Sequence, residues 1–356
     1  METMTSRERI QAALNLKKSD RVAIQDAPWS TTISRWHEEG LPADQTPESY
    51  FSYEFSGFGF DNSFQMPEAI LEETDDYKIV RNSNGAISKN WKTKTSTPGY
   101  EKFTITDRKS WENYKPRLQW NDTRVNWARD LPRHKSEREK GKFVNFGAAV
   151  GYDRTQGICG SEQLLMAMID DPNWVRDMFA TVAQLTIEGL EEMLGRGFEF
   201  DGVWLYDDMG YRNASLFSPQ AYRELSFPYH KKLCDFCHAR GMKVILHSCG
   251  NVMQLVPMLI EAGFDCLQPL EVKAGMDIFK LKQNYGNQLA LMGGIDVRKM
   301  ADPNPAVIEE EIKTKFETAM ADGGYIYHSD HSVPDNVSFN QYKNVIRLVH
   351  KYGRFL

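Results

Sequence analysis

From residue 143 onward the chain repeats one unit: a short β-rich run, a loop, then an amphipathic helix. The runs fall at residues 143–150, 202–206, 243–247, 266–270, 289–293 and 324–327. The stretches between them, such as 172–197 and 305–322, carry apolar residues at helical spacing. They are long enough to cross over between parallel strands. Such alternation argues for a parallel sheet covered by helices. Counting residues 21–25 as a further strand, and one strand not read, gives about eight units, which favours a closed (β/α)8 barrel of the TIM type. No G-x-G-x-x-G or G-x-x-x-x-G-K-[ST] follows any run, which removes the main argument for an open nucleotide-binding sheet.

The expected organisation is one barrel domain over residues 1–356 with an N-terminal extension and one insertion. A first helix is expected over residues 6–16, where Ile10, Ala13 and Leu14 share a face. Residues 26–42, with Trp29 and Trp36 and few regular signals, read as a cap over a pocket. Asn84-Gly85 separates two alternating runs, a strong hairpin signal, and this hairpin with a strand near 102–105 forms a β-hairpin insertion over 77–105.

At 356 residues, with 41% hydrophobic and 26% charged residues, the chain can bury a large core, and disorder is not expected. A net charge of -6 supplies no field to hold nucleic acid, and the basic stretch 133–142, interrupted by Glu137 and Glu139, reads as a solvated surface segment. No signal peptide and no span of about 20 apolar residues is present, so the expectation is a cytoplasmic protein with no membrane partner. Five cysteines make no disulfide framework. Cys234 and Cys237 have redox spacing but lie in a helical stretch rather than at a strand-to-helix turn, and are expected to be inert.

In such barrels chemistry sits at the C-terminal ends of the strands. Those ends carry Asp207 and Asp208, His247 and Cys249, Gln268 and Glu271, Asp296, and the histidines His328 and His331. His247 and Cys249 are two apart, so they face one side of a strand and offer imidazole and thiolate to one point in space. Three protein ligands and one open position make a catalytic zinc site. Either His331 or His328 could supply the third ligand, since the two lie on opposite parities. Asp207 and Asp208 also face opposite ways, so only one is expected to enter a pocket.

The segments GMKVILHSCGNV, GFDCLQPLE, LMGGIDVR and GGYIYHSDHSVPDNV resemble the uroporphyrinogen decarboxylase superfamily, and within it the corrinoid-dependent methyltransferase branch. Members of that branch bind zinc through H-x-C and a cysteine after a G-G-aromatic strand. By that resemblance the zinc ligands here are His247, Cys249 and His331, with His331 where the last cysteine would stand. Zinc accepts either donor type. True decarboxylases carry an R-Q-A-G-R loop near the N-terminus; residues 25–36 offer Asp26, Trp29 and Trp36 instead, so porphyrinogen decarboxylation is not the expected reaction.

The resemblance implies a zinc-dependent methyltransferase that moves a methyl group between a small donor, with a methoxylated aromatic favoured, and the cobalt of a separate corrinoid protein. The corrinoid (cobalamin) is expected on a partner, because no corrinoid-binding domain is evident in this chain. Glu271, Asp207 and Asp208 are the candidate proton-handling groups, and Asp26, Trp29, Trp36, Tyr206, Gln268 and Asp296 the candidate substrate contacts. The alternatives are methyl transfer from the corrinoid to a thiol, a decarboxylase of the same superfamily, and a metal-free barrel hydrolase working through carboxylates such as Asp208 and Glu271. A homodimer is compatible with the sequence.

Overall fold

The computed structural model describes residues 4–92 and 98–355. Twelve strands are described: β1 (Ala23–Ile24), β2 (Phe55–Gly59), β3 (Ala69–Glu73), β4 (Tyr77–Arg81), β5 (Ile87–Trp91), β6 (Gly99–Lys102), β7 (Phe143–Ala149), β8 (Gly202–Tyr206), β9 (Lys243–His247), β10 (Cys266–Gln268), β11 (Ala290–Met292) and β12 (Tyr325–Tyr327). Eight of them form one sheet in the order β1-β12-β11-β10-β9-β8-β7-β2, every ladder parallel. This is the (β/α)8 arrangement of a TIM-type barrel. The strand not read from sequence is β2, where FSGFG offers two aromatics among residues of low strand propensity.

Alternation along each strand sorts its side chains. Val144, Phe146, Val203, Leu205, Val244 and Leu246 join the outer core beneath the helices. Phe55, Phe143, Trp204, Ile245, Cys266, Ala290, Met292 and Ile326 fill the barrel interior. Ile10, Ala13 and Leu14 of the first helix (Ser6–Leu14) belong to that interior cluster, with the helix started by a Thr5–Glu8 capping box. The helix Phe339–Tyr352 shows the outer layer's logic: Phe339, Tyr342, Val345, Ile346 and Val349 recur at helical spacing and are buried. Each such side chain contributes about 2 kcal/mol of gross burial energy.

Past Phe55 on β2 and Asn145 on β7 the inner faces are nearly bare. Gly57, Gly59 and Gly147 occupy inward positions there, leaving space on one side of the barrel. The same side carries the seam. No ladder joins β1 to β2 among the described residues; one backbone hydrogen bond and several side-chain contacts do the joining. Glu54 N–H donates to Ile24 O (3.0 Å), the Glu54 carboxylate accepts Ile24 N–H (2.6 Å) and pairs with Arg9 and Arg21, and Phe55 N–H reaches the Gln25 side chain (3.3 Å).

The insertion is larger than a hairpin. β3–β6 make a separate four-stranded antiparallel sheet, with Asn84-Gly85 in the β4–β5 turn and the last strand ending at Lys102 rather than beginning there. Residues 26–42 are more regular than expected, with a helix at Ser30–Glu38. The basic stretch is also not a plain solvated segment: it continues a helix (Trp127–Glu139) in which His134 is buried. Cys159, Cys234, Cys237 and Cys266 are buried free thiols, and Cys249 alone of the five is partly open. No described helix is long and apolar enough to cross a membrane.

Candidate metal centre at the barrel mouth

Register places the candidate centre. Tyr206 pairs with His247 across β8–β9, and His247 pairs with Gln268 across β9–β10, so three inward side chains stand abreast at the strand ends. Just beyond them the loops after β8 and β9 touch. Gly250 permits this: its φ is +77°, and a Cβ there would lie 2.3 Å from the Gly210 carbonyl carbon. The Gly210 N–H donates to Cys249 O (3.1 Å), and the Cys249 N–H donates to Asp208 Oδ1 (2.7 Å).

The loops thereby bring Asp208, His247 and Cys249 together. One ligand atom from each lies within 4.8 Å of the others, and no other such group of three is found among the described residues. His247 Nε2 is 3.4 Å from Asp208 Oδ1 and 3.5 Å from Cys249 Sγ. Burial alone would depress the His247 imidazole, but Asp208 and Cys249 raise its pKa well above the ordinary value. Burial pushes the Asp208 carboxyl up, and His247 and the Cys249 N–H more than offset it, holding it low. An arrangement that draws a proton to this point favours any cation there.

A hydrogen-bond relay orients His247. Gln268 Oε1 accepts from His247 Nδ1 at 2.5 Å, which fixes the proton on Nδ1 and turns Nε2 toward the cluster. The Gln268 amide in turn donates to His328 Nε2 (3.3 Å), and His328 Nδ1 donates to Ser329 O (2.7 Å). Gln268→Leu is therefore expected to lower metal affinity about 10- to 100-fold with the fold intact, measured by competition with a chelator. Unchanged affinity would mean that the relay does not set the tautomer.

A cavity of about 420 Å³ opens beside the cluster, lined by Gln25, Trp204, Tyr206, Asp208, His247, Cys249, Gln268, His328 and His331 among others. Both histidines of the last strand's loop line it. His331 stands outside the 4.8 Å group, so Asp208 is the third member of the tight cluster. Trp29 meets His331 edge-on, with ring centroids 5.8 Å apart.

The remaining sequence candidates lie elsewhere. Asp207 is fully buried: its carboxylate binds His230 Nε2 (2.9 Å) and Asp153 N–H (2.8 Å), and His230 Nδ1 meets the Tyr222 hydroxyl (3.0 Å). Glu271 accepts Gly250 N–H (2.6 Å), pairs with Lys273 (3.0 Å), and lines a neighbouring cavity of about 590 Å³ that shares Cys249. Asp26 sits in a buried network with the hydroxyls of Tyr342 (2.8 Å) and Tyr327 (3.1 Å). Trp36 is core, stacked on Tyr342 and donating to Val337 O (2.9 Å). Asp296 caps the turn Val297–Met300 and binds Arg298 (2.7 Å). Trp204 and Gln25 were not singled out from sequence, although Trp204 shares the parity of Tyr206.

The molecule is thus a (β/α)8 barrel that gathers a metal-capable cluster at its strand ends. Residues 155–352, more than half of the chain, match the family model described as uroporphyrinogen decarboxylase (URO-D). The chain belongs to the uroporphyrinogen decarboxylase family. Among curated relatives, the uroporphyrinogen decarboxylase of Vesicomyosocius okutanii is 22% identical over 189 residues, covering 52% of each chain. The methylated-thiol–coenzyme M methyltransferase of Methanosarcina mazei is 31% identical over 85 residues, covering 24% of this chain and 21% of that protein. The chain spans about half the length of the curated decarboxylases it matches. A solved methyltransferase from Methanosarcina mazei shares the fold over 98% of this chain and 99% of its own, with a TM-score of 0.65 at 14% identity.

Proposed function

We propose that this chain is a zinc-dependent methyltransferase that moves a methyl group between a methoxylated aromatic and the cobalt of a separate corrinoid protein. The convergence of Asp208, His247 and Cys249 on one point of the barrel mouth carries this reading. An imidazole, a thiol and a carboxylate suit zinc, and His331 lies across the same cavity to complete a fourth position or meet the substrate. Zinc bound there would polarise the donor's ether oxygen, making it a better leaving group.

The chain's own residues supply the rest. Trp204 and Tyr206, stacked with ring planes 6° apart, form an aromatic wall for a planar donor. Asp207 and Glu271 are committed to His230 and to Gly250 and Lys273, so neither handles a proton in the mouth cavity. Burial pushes the Tyr206 phenol up to about 12, and its hydroxyl stays a hydrogen-bond donor for the departing oxygen. The name borne by most of the relatives fits less well. Among the described residues no arginine or lysine lines the mouth cavity, where the carboxylates of a porphyrinogen would need cations.

The test pairs metal analysis with an assay. Purified protein is expected to hold one zinc per chain and to convert 4-methoxybenzoate and reduced cobalamin into 4-hydroxybenzoate and methylcobalamin. A folded protein that neither carries zinc nor takes it up refutes the reading.

A further inference from the structure

Gln268 bridges two imidazoles, His247 at 2.5 Å through Oε1 and His328 at 3.3 Å through its amide nitrogen. The two ends of a primary amide have nearly the same shape and opposite polarity. Turned end for end, Gln268 would present N–H to His247 Nδ1, and a neutral His247 would then carry its proton on Nε2, the nitrogen that faces Asp208 and Cys249. A proton there excludes a metal. The amide must therefore be held one way round, and its other end meets His328.

The backbone places the proton of His328. Its Nδ1 lies 2.7 Å from the Ser329 carbonyl oxygen, which can only accept, so a neutral ring is protonated at Nδ1. That carbonyl cannot turn away. The N–H of the same peptide unit, that of Asp330, donates to Ile295 O (2.8 Å), and the Ser329 N–H donates to Asp26 Oδ1 (3.4 Å). The buried Asp26 carboxylate also lies 3.6 Å from His328 Nδ1 and favours a proton on that side. The ring itself is 2% exposed, and burial, helped by the charge of His247, outweighs Asp26 and the Ser329 carbonyl and holds its pKa below the ordinary value. With Nδ1 committed, Nε2 has only a lone pair to offer, and it accepts from Gln268.

We infer that His328 is a positioning residue for the metal centre: it fixes which way round the Gln268 amide lies, and thereby the tautomer that keeps His247 Nε2 open to a metal. The histidine that strand parity offered as a rival ligand thus acts from two hydrogen bonds away. The inference rests on the metal-centre reading for its effect on zinc, and on the hydrogen bonds alone for the tautomers.

Two measurements on the full chain test it. Heteronuclear NMR of zinc-free protein labelled at the histidine ring nitrogens is expected to find His328 protonated at Nδ1 and bare at Nε2. Zinc affinity, measured by competition with a chelator, is expected to fall about tenfold in His328→Leu and to stay within about threefold in His328→Gln, whose side-chain oxygen can accept from the same amide. In a Gln268→Glu background either carboxylate oxygen accepts from His247, so there His328→Leu should change zinc affinity by less than about twofold. A role in packing alone would give the same loss in both backgrounds. The inference is overturned by a proton on His328 Nε2, by unchanged affinity in His328→Leu, or by equal losses in the two backgrounds. A parent that shows the expected tautomer and yet takes up no zinc would support the hydrogen-bond chain and refute the metal-centre reading instead.

Discussion

Cys249→Ala and His247→Ala are each expected to be isolated without zinc and to transfer methyl groups at least about a thousandfold more slowly than the parent, a loss of roughly 4 kcal/mol in transition-state stabilisation. The size of the effect follows from geometry. Each variant leaves two of the three atoms in the cluster, and among the described residues no other group of three lies within 4.8 Å of one another to take its place. The loss falls on chemistry rather than folding, because both side chains are partly open at the cavity. Initial rates at saturating donor, with metal content measured on the same samples, check the prediction. A variant that retains zinc and more than about a tenth of the rate would assign the metal to other residues. Asp208→Asn should fall between these variants and the parent, since it keeps an oxygen donor but loses the charge.

The second large effect is on stability. Glu54→Leu is expected to destabilise the fold by about 3–5 kcal/mol, because it leaves the buried Arg9 guanidinium without one of its two carboxylates. Glu54 is 1% exposed and accepts from Arg9, Arg21 and the Ile24 N–H at once, so it does for β1 and β2 what a ladder does elsewhere in the barrel. Urea unfolding followed by far-ultraviolet circular dichroism measures the change. A loss below about 1 kcal/mol would show that Asp20 alone can hold Arg9 and that the seam closes by other contacts.

The residues differ in how openly they state their roles. Runs such as KVILH and GVWLY are rich in β-branched and aromatic residues, and their spacing by helices identifies the barrel. β2 escapes because two of its three inward positions are glycine, which carries no hydrophobic signal. β3 escapes because most of its residues are exposed, so burial imposes no alternation. At the site, strand parity is enough to place His247 beside Cys249 and to separate Asp207 from Asp208. Parity gives direction and not distance, and so it could not show that the Asp208 loop lies nearer the pair than His331 does. Asp26, Trp36, Asp207 and Asp296 illustrate the opposite limit. A polar or aromatic residue near a strand end can serve a neighbouring backbone or core group instead of the cavity, and only its partners in space decide which.

The missing side chains on β2 and β7 leave a cavity of about 360 Å³, lined by Gly57, Gly59 and Gly147, whose width is set by backbone. A methyl group added at Gly57 would meet nothing nearer than Asn145 Nδ2 at 3.7 Å, and one at Gly147 nothing nearer than the Tyr206 ring at 3.5 Å, whereas at Gly59 it would strike Gly147 O at 2.6 Å. Two of the three glycines are therefore adjustable gauges and the third is a fixed one. Designed variants with alanine at Gly57 or Gly147 are therefore expected to keep the same barrel and to narrow this space by single carbons, with no change at the strand ends.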